Sequence, residues 1–333
     1  MINKKLALKI FEGFSIQRWT DLIRPFDLVE MDNAAEEMVL AYIIGKYEEN
    51  KGVYIDWNWI IHASLFDLLK KIALCDIKAP IQQMLKKEYT QEYLRLNEWV
   101  LNQYKPLIDD KDLFSQFTIY IGQKSDSLPI PEKAKPAARV LAAAHKFATM
   151  REFIMKIEQL RFQTRWNQTP RIPKTSVLGH CFFVAVITLL LSRDNKVKMS
   201  ERRIVNNFFC GLFHDLPEAV TRDIISPVKQ ATDELPSIVK RIEDEIVNKE
   251  LVPLMEDFYT DELMYFTSDE FANRIVTDDF SSKEVSFEEL NSLYNDDKYF
   301  PIDGKIVRIA DHLSALLEAD ISIKHGITSS HLE

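Results

Sequence analysis

Glycine is scarce in this chain, with 8 residues among 333, and long stretches carry apolar residues at helical spacing. Both features point to an all-α protein. Cysteine is rarer still. Cys75, Cys181 and Cys210 form no CxxC pair, which gives no zinc-finger signal and fits a reducing cytosol better than a disulfide framework. No apolar run reaches the 20 or so residues of a membrane-spanning helix; the longest, CFFVAVITLLL at 181–191, reads as a buried helix. Positive charge is also short. A net charge of −9 argues against a surface that coats nucleic acid or anionic lipid and leaves room only for a local basic pocket. The start, MINKKLALKIFEGF, lacks a long apolar core and a small-residue cleavage site, and reads as an amphipathic helix. A soluble, cytoplasmic protein of about two domains is expected.

What the chain does contain is an internal match. Displaced by 147 residues, Arg18-Trp19 falls on Arg165-Trp166, Arg24 on Arg171, and LFDLLKKIALCDIKAP (65–80) on LFHDLPEAVTRDIISP (212–227). Leu65, Phe66, Asp76, Ile77 and Pro80 are identical to Leu212, Phe213, Asp223, Ile224 and Pro227. Chance similarity between helices explains single identities; a constant offset without gaps over more than 60 residues favours duplication. Further on, KIVRIADHLSALLE (305–318) resembles ARVLAAAHKFATM (138–150). The copies differ in chemistry: His180 falls on Asn33, His214 on Asp67, Asp215 on Leu68, and Asp311 lies opposite Ala144. Residues 1–147 are therefore expected to form a degenerate helical domain without metal ligands, and 148–333 an active one. QKSDSLPIPEKAKPAARV, with three prolines, links them. The acidic stretch 277–304 reads as a long solvated loop with short helical pieces.

Three helices are expected to converge in the second copy: 175–192 with His180 near its start behind Thr175 and Ser176, 201–216 ending in His214-Asp215 before Pro217, and 304–319 with Asp311. A lone histidine on an apolar face is more often a satisfied core residue than a ligand. Three apolar helices each offering an imidazole or carboxylate are another matter, because an uncompensated buried carboxylate costs several kcal/mol. One divalent transition metal, manganese, cobalt, iron or zinc, would supply the missing charge. Glu218, four residues after His214, is placed to take a proton from the attacking water or to orient it; the bland reading is a solvated surface carboxylate. His62, His145, His312, His325 and His331 read as structural or surface residues. The ring of His312 points about 100° around the helix from Asp311.

The ordered set RW (165–166), His180, HDLPE (214–218), TRDIISPVK (221–229) and IADHLSALLE (309–318) resembles the HD-domain superfamily of metal-dependent phosphohydrolases, and most nearly the bacterial 5′-deoxynucleotidases. The likeness covers roughly residues 150–325. It implies that His180, His214, Asp215 and Asp311 bind the metal and that Glu218 positions or activates water. It further implies that Arg165 meets the phosphate, that Trp166 lies against the sugar and disfavours a 2′-hydroxyl, and that Asp223 accepts from the 3′-hydroxyl. Where that family often has a glutamate before its first histidine, this chain has Gly179. Single-domain members are usually dimers, so two tandem HD-type domains are expected to pack as a pseudo-dimer with one active site and a small nucleotide substrate. Two other outcomes remain open on sequence: an HD enzyme cleaving a phosphodiester or a nucleoside triphosphate, and a non-catalytic HD scaffold or sensor.

Overall fold

The computed structural model describes residues 3–18, 26–75, 77, 79–122, 151–166, 169–221, 235–277, 281–327 and 329. It is mostly helical. The first half contains α1 (Lys4–Phe11), α2 (Glu30–Asn50), α3 (Trp57–Ala73), α4 (Ala79–Glu88), α5 (Thr90–Tyr104) and α6 (Lys111–Ile121). The second contains α7 (Arg151–Ile157), α8 (Gln159–Phe162), α9 (Val177–Arg193), α10 (Glu201–Phe213), α11 (Glu218–Thr221), α12 (Leu235–Glu250), α13 (Asp257–Thr267), α14 (Phe287–Ser292) and α15 (Gly304–Lys324). Among the described residues no helix is long and apolar enough to cross a membrane. The proline-containing link and the 138–150 segment lie outside the described residues, as do Trp19, Arg24, Asp76, Ala144, His145 and His331.

The apolar run at 181–191 becomes the middle of α9, which is buried along almost its whole length. A helix apolar on every side needs partners on every side, and α10, α2 and α15 supply them. Ser176 caps it by accepting from the Gly179 N–H at 2.9 Å. Gly211 lets α10 come close, since a Cβ there would lie 2.9 Å from the Ala185 Cα. Both halves of the chain contribute to one apolar core. In it Tyr42 of α2 packs on Phe209 and Phe213 of α10, with ring centroids 4.9 and 5.0 Å away.

Elements recur at the offset seen in the sequence. A two-residue ladder joins β1 (Gln17–Arg18) to β2 (Leu28–Val29) with Gln17 opposite Val29. An isolated antiparallel bridge places Thr164 opposite Ser176, 147 residues later in both strands. By the same step α1, beginning at Lys4, corresponds to α7, beginning at Arg151, and α2 at Glu30 to α9 at Val177.

The stretch expected to be a solvated loop is instead partly a small antiparallel sheet. β3 (Asn273–Val276) runs between β4 (Ser282–Glu284) and β5 (Ile302–Asp303), and Ile275, Val285 and Leu290 of α14 form a minor core beneath it. Its importance for the site is at β5. Arg203 donates from Nε and Nη2 to the two carboxylate oxygens of Asp303 at 2.6 and 2.7 Å, and Asn207 donates to the same carboxylate at 3.0 Å. This buried fork ties the residue that precedes α15 to α10 and so fixes the helix that carries Asp311 two turns on.

Candidate metal centre

Three elements bring the expected residues together. His180 lies one turn into α9, fully buried, and His214 is the C-cap of α10. The helical path does not run on through Pro217: Leu216, Glu218 and Ala219 donate to the carbonyls three residues back, giving a tight turn before α11. Proline has no N–H to continue the ladder. Glu218 is thus the first residue of α11, not one turn further along α10, and Gln163 donates to its carbonyl at 2.8 Å.

The imidazoles are 5.2 Å apart between centroids. His214 Nδ1 donates to the Gly211 carbonyl at 2.8 Å, which turns Nε2 toward the site. His180 Nδ1 lies 3.1 Å from Ser314 Oγ, and its Nε2 lies 3.1 Å from Asp311 Oδ1 and 3.7 Å from Asp215 Oδ2. His214 Nε2 is 3.2 Å from Asp215 Oδ2. Both Nε2 atoms are buried without a hydrogen-bond partner. Metal-ligating histidines show this arrangement, one nitrogen held by the protein and the other turned inward. The ligand atoms of His180, His214 and Asp215 all fall within 4.8 Å of one another, and Asp311 joins them through His180. The residues fit a divalent cation.

Arg165 closes one side. Its Nη1 is 3.8 Å from Asp215, its Nη2 3.7 Å from Asp311, and its Nε 3.5 Å from Glu318. Glu318 was not anticipated from sequence. Its side chain is fully buried, accepts from the Trp166 indole N–H at 2.8 Å and from Thr175 Oγ1 at 2.7 Å, and pairs with Arg171 at 3.3 Å. Trp166 has a positive φ of 54° and sits with the Arg171 guanidinium 5.5 Å from its ring. A signal for Glu318 existed: Asp311, Ser314 and Glu318 are spaced i, i+3, i+7 and share one face of α15. Asp223 lies outside the described residues.

Charge in this cluster is unbalanced. Three carboxylates (Asp215, Asp311 and Glu318) face two guanidiniums. Burial opposes ionisation of Asp215, but His214, His180 and Arg165 more than offset it and hold the carboxyl well below its usual range. Asp311 is held down to about 2 against the same burial by His180, His214 and Arg165. Burial drives His180 toward its neutral form, with Arg165 adding to the effect. His214 goes the other way: burial disfavours its charge, yet Asp215 beside it raises its pKa well above the ordinary value. A proton on His214 thus balances Asp215, and metal binding displaces such protons.

His62, also buried, is a structural residue: Nδ1 meets the Asn58 carbonyl at 2.7 Å and Nε2 meets Arg193 at 3.1 Å. A family model described as HD domain matches residues 157–333, more than half of the chain. No curated protein and no solved structure matches it.

Proposed function

Because the chain belongs to the HD domain family, whose members are in general metal-dependent phosphohydrolases, we propose that it removes the 5′-phosphate from nucleoside 5′-monophosphates. One observation carries the reading: two buried, unpartnered imidazole nitrogens face two carboxylates from separate elements, beside a guanidinium fork. His180, His214, Asp215 and Asp311 would hold manganese, cobalt, iron or zinc, any of which this donor set accepts. A bound ion of this kind supplies Lewis acidity and lowers the pKa of its water.

The chain's own groups do the rest. Glu318 takes the Nε side of Arg165, so both Nη groups are turned toward the carboxylates of the site. A planar fork held that way suits phosphoryl oxygens. Glu218 would orient the attacking water or accept its proton. The bond from its indole to Glu318 holds Trp166 in place, which favours its use as a wall against the sugar, where a 2′-hydroxyl would clash. Asp223 would accept from the 3′-hydroxyl. Residues 1–147 are read as a copy of 148–333 that has lost the ligands; the recurring β register and helix starts support this.

A screen for phosphate release over ribo- and deoxyribonucleoside monophosphates, with manganese, cobalt, zinc and magnesium in parallel, tests the proposal. Metal-dependent release of inorganic phosphate is expected. Release of pyrophosphate from triphosphates, or turnover confined to diesters, would overturn it.

A further inference from the structure

The ligand-free half approaches the metal centre through Asp32. At the offset of 147, Asp32 corresponds to Gly179, Phe14 to Arg161 and Glu36 to Phe183. These equivalents meet one another. Asp32 Oδ1 lies 2.6 Å from the point where a Cβ on Gly179 would be. Phe14 packs on Phe183 with centroids 5.9 Å apart, and Arg161 pairs with Glu36 at 2.6 Å. When residue i meets j and the equivalent of j meets the equivalent of i, the packing is that of a two-fold axis. Here the axis passes between α2 and α9, close to Asp32 and Gly179.

What Asp32 does at that axis follows from the local chemistry of α9. Ser176 is its N-cap, and a complete capping box would carry an acid three residues later. The chain builds one such box at α14, where Ser286 caps the helix and Glu289 accepts from the Ser286 N–H at 2.8 Å. At α9 that third position is Gly179, which has no side chain. Asp32 stands there instead, accepting the Ser176 hydroxyl, and only glycine leaves it room. Ser176 in turn accepts, through its carbonyl, the N–H of His180 at 3.0 Å.

We infer that the two halves pack about a local two-fold axis and that Asp32, given across it by the ligand-free half, is a positioning residue for His180. The first half is then kept for the carboxylate it lends to the other half's first turn of α9. This inference rests on the metal-site reading above.

Manganese affinity of the full-length chain tests it, with helicity followed by circular dichroism. Asp32→Ala and Ser176→Ala should each weaken manganese binding about tenfold, the size of effect usual for groups that support metal ligands. The double variant should fall no further, because both changes cut one link. Asp32→Asn, which still accepts the hydroxyl, should recover most of the affinity. If Asp32→Ala does not fold, Ser176→Ala and Asp32→Asn decide the matter in the same way. Unchanged affinity in a helical Asp32→Ala or Ser176→Ala chain, additive losses in the double variant, or an Asn variant as weak as Ala would each overturn the inference and leave the metal site standing. Absence of manganese binding by the unaltered chain would overturn both.

Discussion

Positions 33, 67, 68 and 71 of the first half lie 147 residues before 180, 214, 215 and 218 of the second, and the two sets meet one electrostatic problem in two ways. In the second half His180, His214 and Asp215 turn their ligand atoms inward, with the Arg165 guanidinium beside Asp215 and Asp311. In the first half Lys71 stands where the second has Glu218. Its ammonium pairs with Asp67 at 2.8 Å, Glu37 at 3.1 Å and Glu30 at 3.5 Å. Asn33, in the place of His180, accepts from Arg161 at 3.1 Å. In the first half one ammonium gathers three carboxylates; in the second, guanidiniums and imidazoles share the carboxylates around a group that could hold a metal ion.

The largest expected effect is on the second half alone. Asp215→Ala should lower phosphate release by on the order of 100-fold or more, since even supporting residues of metal sites cost 10–100-fold; steady-state kinetics at saturating metal measure it. Retained activity would break the comparison at its root. Next is Glu318→Ala, which strands the Arg165 and Arg171 guanidiniums in a buried setting. Removing one partner of a buried ion pair costs roughly 3–5 kcal/mol, readable from urea unfolding. A shift below about 1 kcal/mol would mean that solvent reaches the pair.

Asp32 gives a pH test of the contact between halves. Burial pushes its pKa up to about 6 from 3.8, with Ser176 and Arg161 pulling down and Glu158 pushing up. The folded form therefore favours protonated Asp32: its contribution is complete below pH 4 and is lost as pH rises through 6. Relative to Asp32→Asn, the unaltered chain should lose roughly 2–3 kcal/mol of stability between pH 4 and pH 7. Parallel pH profiles would contradict this. The smallest effect belongs to Lys71→Met. Its side chain is 30% exposed but Glu30, one of its three partners, is buried, so loss of the ammonium should cost roughly 1–3 kcal/mol and leave phosphate release unchanged.

Much of this was legible in the sequence. Helices expected at 175–192, 201–216 and 304–319 appear as Val177–Arg193, Glu201–Phe213 and Gly304–Lys324. Their apolar periodicity, caps and prolines are local signals, and the order His180, His214-Asp215, Asp311 marks where they meet. The i, i+3, i+7 spacing of Asp311, Ser314 and Glu318 puts Glu318 on the site face of α15, but its bond to Trp166 spans 152 positions, and the spacing alone does not announce that partner. The β3–β4–β5 sheet stayed hidden because Ser282–Glu284 is exposed throughout and shows no apolar alternation. Gly179 departs from the family pattern, but the carboxylate that fills its space comes from α2, far away along the chain.

The central claim is that four side chains on three segments hold one ion. Anomalous scattering at the manganese edge, from crystals grown in manganese, tests it most directly. The account predicts one strong peak per chain, bounded by His180 Nε2, His214 Nε2, Asp215 and Asp311, and none beside Lys71. A peak elsewhere, or none at those four residues with manganese in excess, would contradict it.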